Sequence, residues 1–225
     1  MNALLLAAGR GERMRPLTDD CPKPLLRVGG RALIDYHLEA LAAAGFHRVV
    51  VNTAWCAQRL HRHVGDGRAW GLEIRYSDEG ERALETAGGI ARALPLLGPG
   101  PFAAINADIH TDYPYERLAL PPARLAHLVL VDNPPQHPGG DFALIGGRVR
   151  TAGEPRLTFA GIGVYHPALF SGLPTAPLRL APLLAHAMAE DRVSGEHHAG
   201  RWHDVGTPER LRALDRALGG TGAPS

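Results

Sequence analysis

The feature of this sequence that most constrains its fold is the alternation of short apolar runs with segments of helical periodicity through residues 3–131. The apolar runs have the length and aliphatic composition of buried strands, whereas the intervening segments space their apolar residues three and four apart. Strands that alternate with helices of this size form a mostly parallel sheet covered by helices on both faces. We predict strands at Ala3–Ala7, Val49–Val51, Leu72–Tyr76, Phe102–Ile105 and Leu128–Val131, and helices at Ala32–Ala44, Ala57–Val64 and Gly88–Leu97.

The second half of the chain changes character. Short strands joined by glycine-rich turns predict a small antiparallel extension of the sheet, at Asp141–Thr151 and Pro155–His166. Two helices with one strand-like run between them follow, at Leu178–Ala189, Pro208–Leu218 and Gly195–Val205. Because we find no repeat and no break in composition, we expect residues 1–218 to form a single domain of the α/β class and residues 219–225 to form a flexible tail.

Charge and composition exclude several classes of protein. The chain contains 24 Lys and Arg residues and 23 Asp and Glu residues, so it lacks the basic excess that is typical of a nucleic-acid-binding protein. No stretch approaches the ~20 apolar residues of a membrane-spanning helix, and the N-terminus lacks the basic region of a signal peptide. Cys21 and Cys56 form no metal or disulfide framework, which favours free thiols in a reducing cytoplasm. We therefore expect a cytoplasmic protein without a nucleic-acid or membrane partner; its oligomeric state stays open, and a monomer is compatible with the sequence.

One lysine stands alone among the cationic residues. Of the 24 Lys and Arg residues, 23 are Arg and only Lys23 is Lys. Alanine and arginine are abundant and asparagine is scarce, a bias that replaces lysine by arginine wherever either serves. We therefore predict that Lys23 stands where a compact ammonium is needed, the alternative being chance, since some position must hold the last lysine. Its neighbours Pro22 and Pro24 exclude a helix and are expected to hold it extended, as a fixed charge for a phosphate.

A glycine loop follows the first predicted strand. The run Ala7-Ala8-Gly9-Arg10-Gly11-Glu12-Arg13 lets the backbone approach a phosphate chain and present its N–H groups, and Arg13 adds a positive charge. Met14 stands where a dinucleotide-binding loop has a third glycine, and the Gly-Lys-Ser/Thr of a Walker loop is absent. The loop is therefore of a different kind from either.

Two aspartates stand at positions that suit a metal ion. Asp108 follows the buried run that ends at Asn106, and Asp204 lies between a strand-like run and a helix. Carboxylate oxygens suit Mg²⁺, although an aspartate can also form a turn or cap a helix N-terminus. Histidines offer a competing metal site, and the candidates are His61, His63, His197, His198 and His203. Their spacing matches no zinc signature.

The stretch from Leu6 to Thr18, LAAGxGxRxxPLT, followed by Pro22-Lys23-Pro24, resembles the signature of the sugar-1-phosphate nucleotidyltransferases. The resemblance implies a Rossmann-like fold and an enzyme that couples a nucleoside triphosphate to a sugar 1-phosphate with release of pyrophosphate. It implies a triphosphate-binding loop at Ala7, Ala8, Gly9, Gly11, Glu12 and Arg13. The catalytic residues it implies are Arg13, Lys23, Asp108 and Asp204, of which the two aspartates bind Mg²⁺. Ala107 departs from the glycine that is usual before the first aspartate.

The run from Leu84 to Gly89 is similar to the family's base-side motif, which implies that Thr86 and Gly88 contact the nucleotide. Glu85 replaces the usual glycine, as it does in a narrower group, the N-acetylmuramate 1-phosphate uridylyltransferases of peptidoglycan recycling. Further stretches resemble that group, including those around Asn133, Asp141 and Phe159. The resemblance implies UTP as donor, N-acetylmuramic acid α-1-phosphate as acceptor, and sugar contacts from Asn106, Asp141 and Gly161.

The lactyl carboxylate of that acceptor requires hydrogen-bond donors or a cation, for which the second half offers Arg148, Arg150, Arg156 and Arg179. Two alternatives stay open. One is a mannose- or glucose-1-phosphate nucleotidyltransferase that uses GTP, dTTP or UTP. The other is a non-catalytic regulatory protein that binds nucleotide sugars, against which the joint presence of the four implied catalytic residues argues.

Overall fold

The computed structural model describes residues 1–80 and 83–220. Its strands, in chain order, are β1 (Asn2–Leu6), β2 (Arg27–Val28), β3 (Arg31–Ala32), β4 (Arg48–Thr53), β5 (Glu73–Asp78), β6 (Phe102–Asn106), β7 (Ile109–Thr111), β8 (Ala126–Val131), β9 (Phe142–Ile145), β10 (Arg148–Arg150), β11 (Arg156–Tyr165), β12 (Val193–His198) and β13 (Trp202–Asp204). Its α-helices are α1 (Leu33–Ala43), α2 (Ala57–Val64), α3 (Glu85–Leu97), α4 (Leu180–Ala189) and α5 (Pro208–Ala217).

Nine strands form the main sheet in the order β5-β4-β1-β6-β11-β8-β12-β10-β9. Among the first seven, only β11 runs antiparallel to its neighbours. The predicted α/β class, with a mixed and mostly parallel sheet, is confirmed. The antiparallel extension is smaller than predicted, because β9 and β10 form a hairpin at one edge whereas β11 lies inside the sheet.

The sheet is covered on both faces, as β1 illustrates. Ala3 and Leu5 pack in a cluster with residues of α1 and α2, and Leu4 packs on the opposite face with residues of α3 and α4. Side chains alternate across a strand, so a strand buried on both faces is apolar at every position. This is the physical reason for the continuous apolar runs of the sequence.

The carboxyl ends of the parallel strands meet at one edge of the sheet. Leu6 at the end of β1 lies between Asn52 of β4 and Asn106 of β6 in the strand register. The loops that follow these strands therefore converge, and this edge of an α/β sheet is where ligands bind.

Two local predictions were wrong. The run Gly195–Val205 is not one strand, because β12 ends at His198 in the main sheet and β13 pairs with β7 in a separate two-stranded sheet. Lys23 is not extended, because Lys23–Leu25 forms a turn of 3-10 helix. Pro22 is the N-cap of this turn and Pro24 lies within its first two positions. A missing N–H group removes no helical hydrogen bond there.

Within the described ranges, no helix is long and apolar enough to cross a membrane. Most of the predicted tail, at residues 221–225, lies outside the described residues.

Candidate functional site

Three adjoining hollows at the carboxyl edge of the sheet share Asp108. The first hollow, of 330 Å³, is lined by Leu6, Ala7, Ala8, Gly9, Lys23, Pro24, Asn52, Glu79, Ala83, Glu85, Thr86, Asn106 and Asp108. The second hollow, of 280 Å³, is lined by Arg13, Asn106, Asp108, Ile109, Pro134, Gln136, His137, Thr158, Phe159, Ala160, Gly161, Trp202 and Asp204. The loop hollow, of 490 Å³, is lined by Gly9, Arg10, Gly11, Glu12, Arg13, Met14, Lys23, Asp108 and Gly206.

The glycine loop forms a wall of two of these hollows. Ala7, Ala8 and Gly9 line the first hollow, and the following residues to Arg13 line the loop hollow. Gly11 has a φ of 68°, in the left-handed region that favours glycine, and its carbonyl accepts a hydrogen bond of 2.8 Å from the Thr18 hydroxyl. The Thr18 side chain thus fixes the backbone of the loop at Gly11.

The only lysine lies at the boundary between the first hollow and the loop hollow. Lys23 is 8% exposed, and its ammonium donates a hydrogen bond to Oδ2 of Asp108. A Cβ added to Gly11 would lie 3.5 Å from the Lys23 Cβ, so the glycine loop packs directly on the lysine stem. The structure therefore holds one ammonium where the first hollow and the loop hollow meet, against the aspartate that all three hollows share.

The pairing of β7 with β13 brings the two predicted aspartates together. Asp204 lies opposite Ile109 in this pair, and the Val205 N–H donates to the Asp108 carbonyl over 3.0 Å. Both aspartates line the second hollow. Helix α5 is capped by the Thr207 side chain, so Asp204 does not serve as the helix cap that the sequence left open.

These two carboxylates suit a magnesium ion. Within the described residues, no group of three or more His, Cys, Asp or Glu side chains is placed to hold a metal. Magnesium binds in proteins through one or two carboxylates, with water and substrate phosphates completing its shell. Asp108 and Asp204 beside an open hollow provide a donor set of that kind.

A buried polar pair that sequence reasoning missed supports the first hollow. The Asn52 side chain accepts a hydrogen bond of 2.5 Å from the Ala7 N–H and donates one of 2.6 Å to Glu79. The other Glu79 oxygen accepts a 2.6 Å bond from the Leu84 N–H, and burial raises the pKa of the Glu79 carboxyl. The pair therefore ties the glycine loop to the start of α3. The available signal was that both residues end or follow a predicted strand, as Asn106 does.

The start of α3 contributes Glu85 and Thr86 to the first hollow. Glu85 has a φ of 58°, which explains structurally why a glycine suits this position. Gly88, predicted to contact the nucleotide, is not among the lining residues of that hollow. A Cβ there would lie 2.1 Å from the Ala176 carbonyl oxygen, so this glycine permits close packing of the chain that precedes α4.

The three predicted sugar contacts are placed differently. Asn106 lies between the first and second hollows, and Gly161 lies beside it with a φ of 73°. A Cβ on Gly161 would lie 2.6 Å from the Asn106 amide nitrogen. Asp141 does not line the second hollow; its carboxylate accepts a 2.8 Å bond from the Phe159 N–H and lies 3.0 Å from His137. Asp141 thus fixes residues that line the hollow.

The sequence profile described as Nucleotidyl transferase matches residues 2–142. The chain belongs to the nucleotidyl transferase family. It is 48% identical over 228 residues to the N-acetylmuramate alpha-1-phosphate uridylyltransferase of Neisseria meningitidis serogroup B, covering 97% of this chain and 99% of that one. The protein of the same name from Caulobacter vibrioides is 37% identical, with 96% of each chain covered. The family resemblance predicted from the motifs is confirmed.

Solved structures support the nucleotidyltransferase fold. A Bacillus anthracis structure assigned as a glucose-1-phosphate thymidylyltransferase superposes with a TM-score of 0.83, covering 97% of this chain and 95% of that one. A UDP-glucose pyrophosphorylase complexed with UDP-glucose superposes with a TM-score of 0.75, covering 96% and 97%. Each is 18% identical to this chain, so the likeness concerns the fold.

A buried histidine supports the first aspartate. His37 on α1 donates from Nε2 to the Ile109 carbonyl at 2.9 Å, and its Nδ1 accepts the Tyr115 hydroxyl at 2.8 Å. The pKa of His37 is lowered to about 4, and burial is the largest cause. The nearby His110 also lowers this pKa, whereas the hydrogen bond to the Ile109 carbonyl and the Asp108 charge raise it. A neutral imidazole therefore anchors β7 immediately after Asp108.

The arginines proposed for a sugar carboxylate lie elsewhere. Arg148 and Arg150 contact Asp191 at 3.2 and 2.8 Å. Because Asp191 precedes β12, this contact lies at the edge of the sheet opposite to the hollows. Arg156 donates to backbone carbonyls of the loop before β9, and Arg179 is exposed beside α4. None of the four, all in the described part of the chain, lines any of these hollows.

Proposed function

We propose that the protein transfers the uridylyl group of UTP to the phosphate of N-acetylmuramic acid α-1-phosphate, forming the UDP-sugar and pyrophosphate. The observation that carries this proposal is that Lys23, Arg13 and Asp204 line hollows that all share Asp108. The names of the relatives from Neisseria meningitidis and Caulobacter vibrioides support the choice of donor and acceptor.

The reaction is a direct in-line displacement. A phosphate oxygen of the acceptor attacks the α-phosphorus of UTP, and the bond from that phosphorus to the bridging oxygen breaks. The electron pair leaves with pyrophosphate. Because the acceptor phosphate is already ionised at neutral pH, no side chain needs to act as base or nucleophile. Catalysis consists of positioning and charge stabilisation.

The two main hollows suggest how the substrates are arranged. In this proposal the first hollow holds the uridine, with Thr86 and Glu85 beside the base and the glycine loop along the phosphates. The second hollow holds the sugar, with Asn106 and Gly161 on its walls. Lys23 at the boundary places its ammonium against the reacting phosphates, where a charge that develops in the transition state is stabilised most.

We place Mg²⁺ on Asp108 and Asp204, where it would neutralise charge on the phosphates and orient them. Lys23 and Arg210 keep these two carboxylates paired, so the aspartates do not repel each other across the hollow. A cytoplasmic place in peptidoglycan recycling follows from the proposed acceptor, because this sugar is a component of that polymer.

A pyrophosphate-release screen tests the proposal. UTP, GTP and dTTP are each combined with the 1-phosphates of N-acetylmuramic acid, N-acetylglucosamine, glucose and mannose, in the presence of Mg²⁺. We expect the highest kcat/KM with UTP and N-acetylmuramic acid 1-phosphate, and loss of turnover in Asp108→Asn. Preference for mannose or glucose 1-phosphate would reassign the substrate but not the reaction. Binding of nucleotide sugars without release of pyrophosphate from any pair would indicate a regulatory protein.

A further inference from the structure

A fourth hollow, the side hollow of 230 Å³, adjoins the second one, and the function proposed above assigns no part of a substrate to it. It is lined by Pro134, Pro135, Gln136, Trp202, His203, Asp204, Arg210 and Ala213. Four of these residues also line the second hollow, namely Pro134, Gln136, Trp202 and Asp204. The Trp202 indole donates to the Ala160 carbonyl at 2.9 Å, which fixes the wall that the two hollows share. The side hollow is therefore adjacent to the hollow proposed for the sugar.

Two charged side chains line the side hollow, the Asp204 carboxylate and the Arg210 guanidinium, and the guanidinium is in an unusual place. Arg210 lies in the first turn of α5, whose N-cap is Thr207. A cation there opposes the partial positive charge of the helix N-terminus and requires a compensating anion. Asp204 supplies one, at 2.5 Å from Nη1. A Cβ on Gly206 would lie 2.4 Å from Nη2, so the glycine before the helix makes room for this guanidinium.

Arg210 retains capacity for a second anion. A guanidinium carries five N–H donors, and among the described residues only Asp204 accepts a hydrogen bond from it. The side chain is 24% exposed, enough to reach solvent within the hollow. Its planar, forked donors match a carboxylate in a bidentate arrangement.

The other basic side chains that line the second hollow have different surroundings. Arg13 lines both the loop hollow and the second hollow, as Asp108 does. His137 lies 3.0 Å from Asp141. The four arginines named from the sequence line none of these hollows. Arg210 is thus the cation best placed to meet an acidic substituent of the sugar.

We propose that Arg210 determines acceptor specificity by binding the carboxylate of the lactyl substituent in the side hollow, with Asp204 holding the guanidinium in position. This inference rests on the proposed function, since it assumes an acceptor that carries a carboxylate beyond its phosphate. A site built around a charged partner rejects an analogue that lacks it, because its own buried donors are left unpaired.

The test compares three acceptors with UTP: N-acetylmuramic acid 1-phosphate, the neutral amide of its lactyl group, and N-acetylglucosamine 1-phosphate. The wild-type protein should prefer the acid over the amide in kcat/KM by on the order of 100-fold. Arg210→Gln should reduce this ratio to about 1, chiefly by raising KM for the acid, and Arg210→Lys, which keeps the charge without the fork, should give an intermediate ratio. The matched control is Arg212→Gln on the same helix, because Arg212 pairs with Glu209 at 3.2 Å and lines none of the hollows.

Titration calorimetry provides a readout that is independent of turnover. Wild-type protein should bind UDP-N-acetylmuramic acid more tightly than UDP-N-acetylglucosamine, and Arg210→Gln should lose most of this difference. An equal loss with all three acceptors would overturn the inference, because Arg210 would then serve only to hold Asp204. Equal use of acid and amide by the wild type would also overturn it. If the wild type uses UTP only with another sugar 1-phosphate, the proposed acceptor fails first and the inference falls with it.

Discussion

Acidification should destabilise this protein through His37, the buried neutral histidine that anchors β7 beside Asp108. Above pH 6.5 the imidazole is neutral in both the folded and the unfolded chain and contributes no pH dependence. Below pH 6.5 the unfolded chain takes up a proton, whereas the folded chain does so only near pH 4, because burial lowers the pKa of His37 to about 4. The free energy of unfolding therefore decreases as the pH falls from 6.5 to 4.

The size of this effect follows from the two pKa values. A pKa lowered from 6.5 to about 4 corresponds, at 1.36 kcal/mol per unit, to a loss of about 3 kcal/mol across that interval. This is a large part of the 5–15 kcal/mol that typically stabilises a domain. Because the folded chain keeps His37 neutral through this interval, the loss comes from proton uptake by the unfolded chain, and the hydrogen bonds to Ile109 and Tyr115 persist in the molecules that stay folded.

Urea denaturation at a series of pH values measures the effect. His37→Gln is the informative variant, because its amide can donate to the Ile109 carbonyl and accept from the Tyr115 hydroxyl without titrating. The advantage of wild type over this variant should shrink by about 3 kcal/mol between pH 7 and pH 4. His186→Gln is the matched control, since the His186 side chain is 81% exposed, and it should follow the wild-type profile. A constant difference between wild type and His37→Gln at all pH values would refute the reasoning.

Three further predictions concern the site. Asp108→Asn and Asp204→Asn should each lose most activity while their thermal denaturation stays near that of wild type; turnover in EDTA within tenfold of the wild-type rate in Mg²⁺ would contradict a metal on these carboxylates. Lys23→Arg should lower kcat/KM by about 10²–10³-fold, as expected for the loss of one well-placed charge. The reason is that the larger, forked guanidinium does not fit a buried ammonium site. An unchanged kcat/KM would show that either cation serves at this position. Gly161→Ala should impair acceptor binding, since its Cβ would press on the asparagine that ends β6, whereas Gly146→Ala, also left-handed but in open space, should leave KM unchanged. Equal KM values for the two glycine variants would place the acceptor elsewhere.

Much of the site was predictable because its parts lie close together in the sequence. The glycine loop and Lys23 are within 17 residues of each other, and their composition already indicates a phosphate site. Asp108 and Asp204 were predicted from their motifs, although nothing in the intervening 95 residues shows that they meet. Their proximity depends on the pairing of β7 with β13, a long-range contact that the sequence pattern did not indicate.

The residues that sequence reasoning missed are those whose role depends on their surroundings. A histidine on the apolar face of α1 has no distinguishing pattern, and only burial against Ile109 makes it a neutral anchor. Glu79 resembles any polar residue after a strand until Asn52 and the start of α3 pack around it. Arg210 resembles an ordinary surface arginine until the loop before α5 places it at the side hollow.

The class of fold, the family and the grouping of the glycine loop with Lys23 could be predicted from the sequence, because hydrophobic period, glycine content and the order of neighbouring residues are local properties. The folded chain was needed to show that Asp108 and Asp204 line one hollow, that Gly88 packs against the chain before α4, and that Arg210 lines the side hollow. These outcomes depend on where distant segments meet, and the free energy that decides it comes from packing and pairing between residues far apart in the chain.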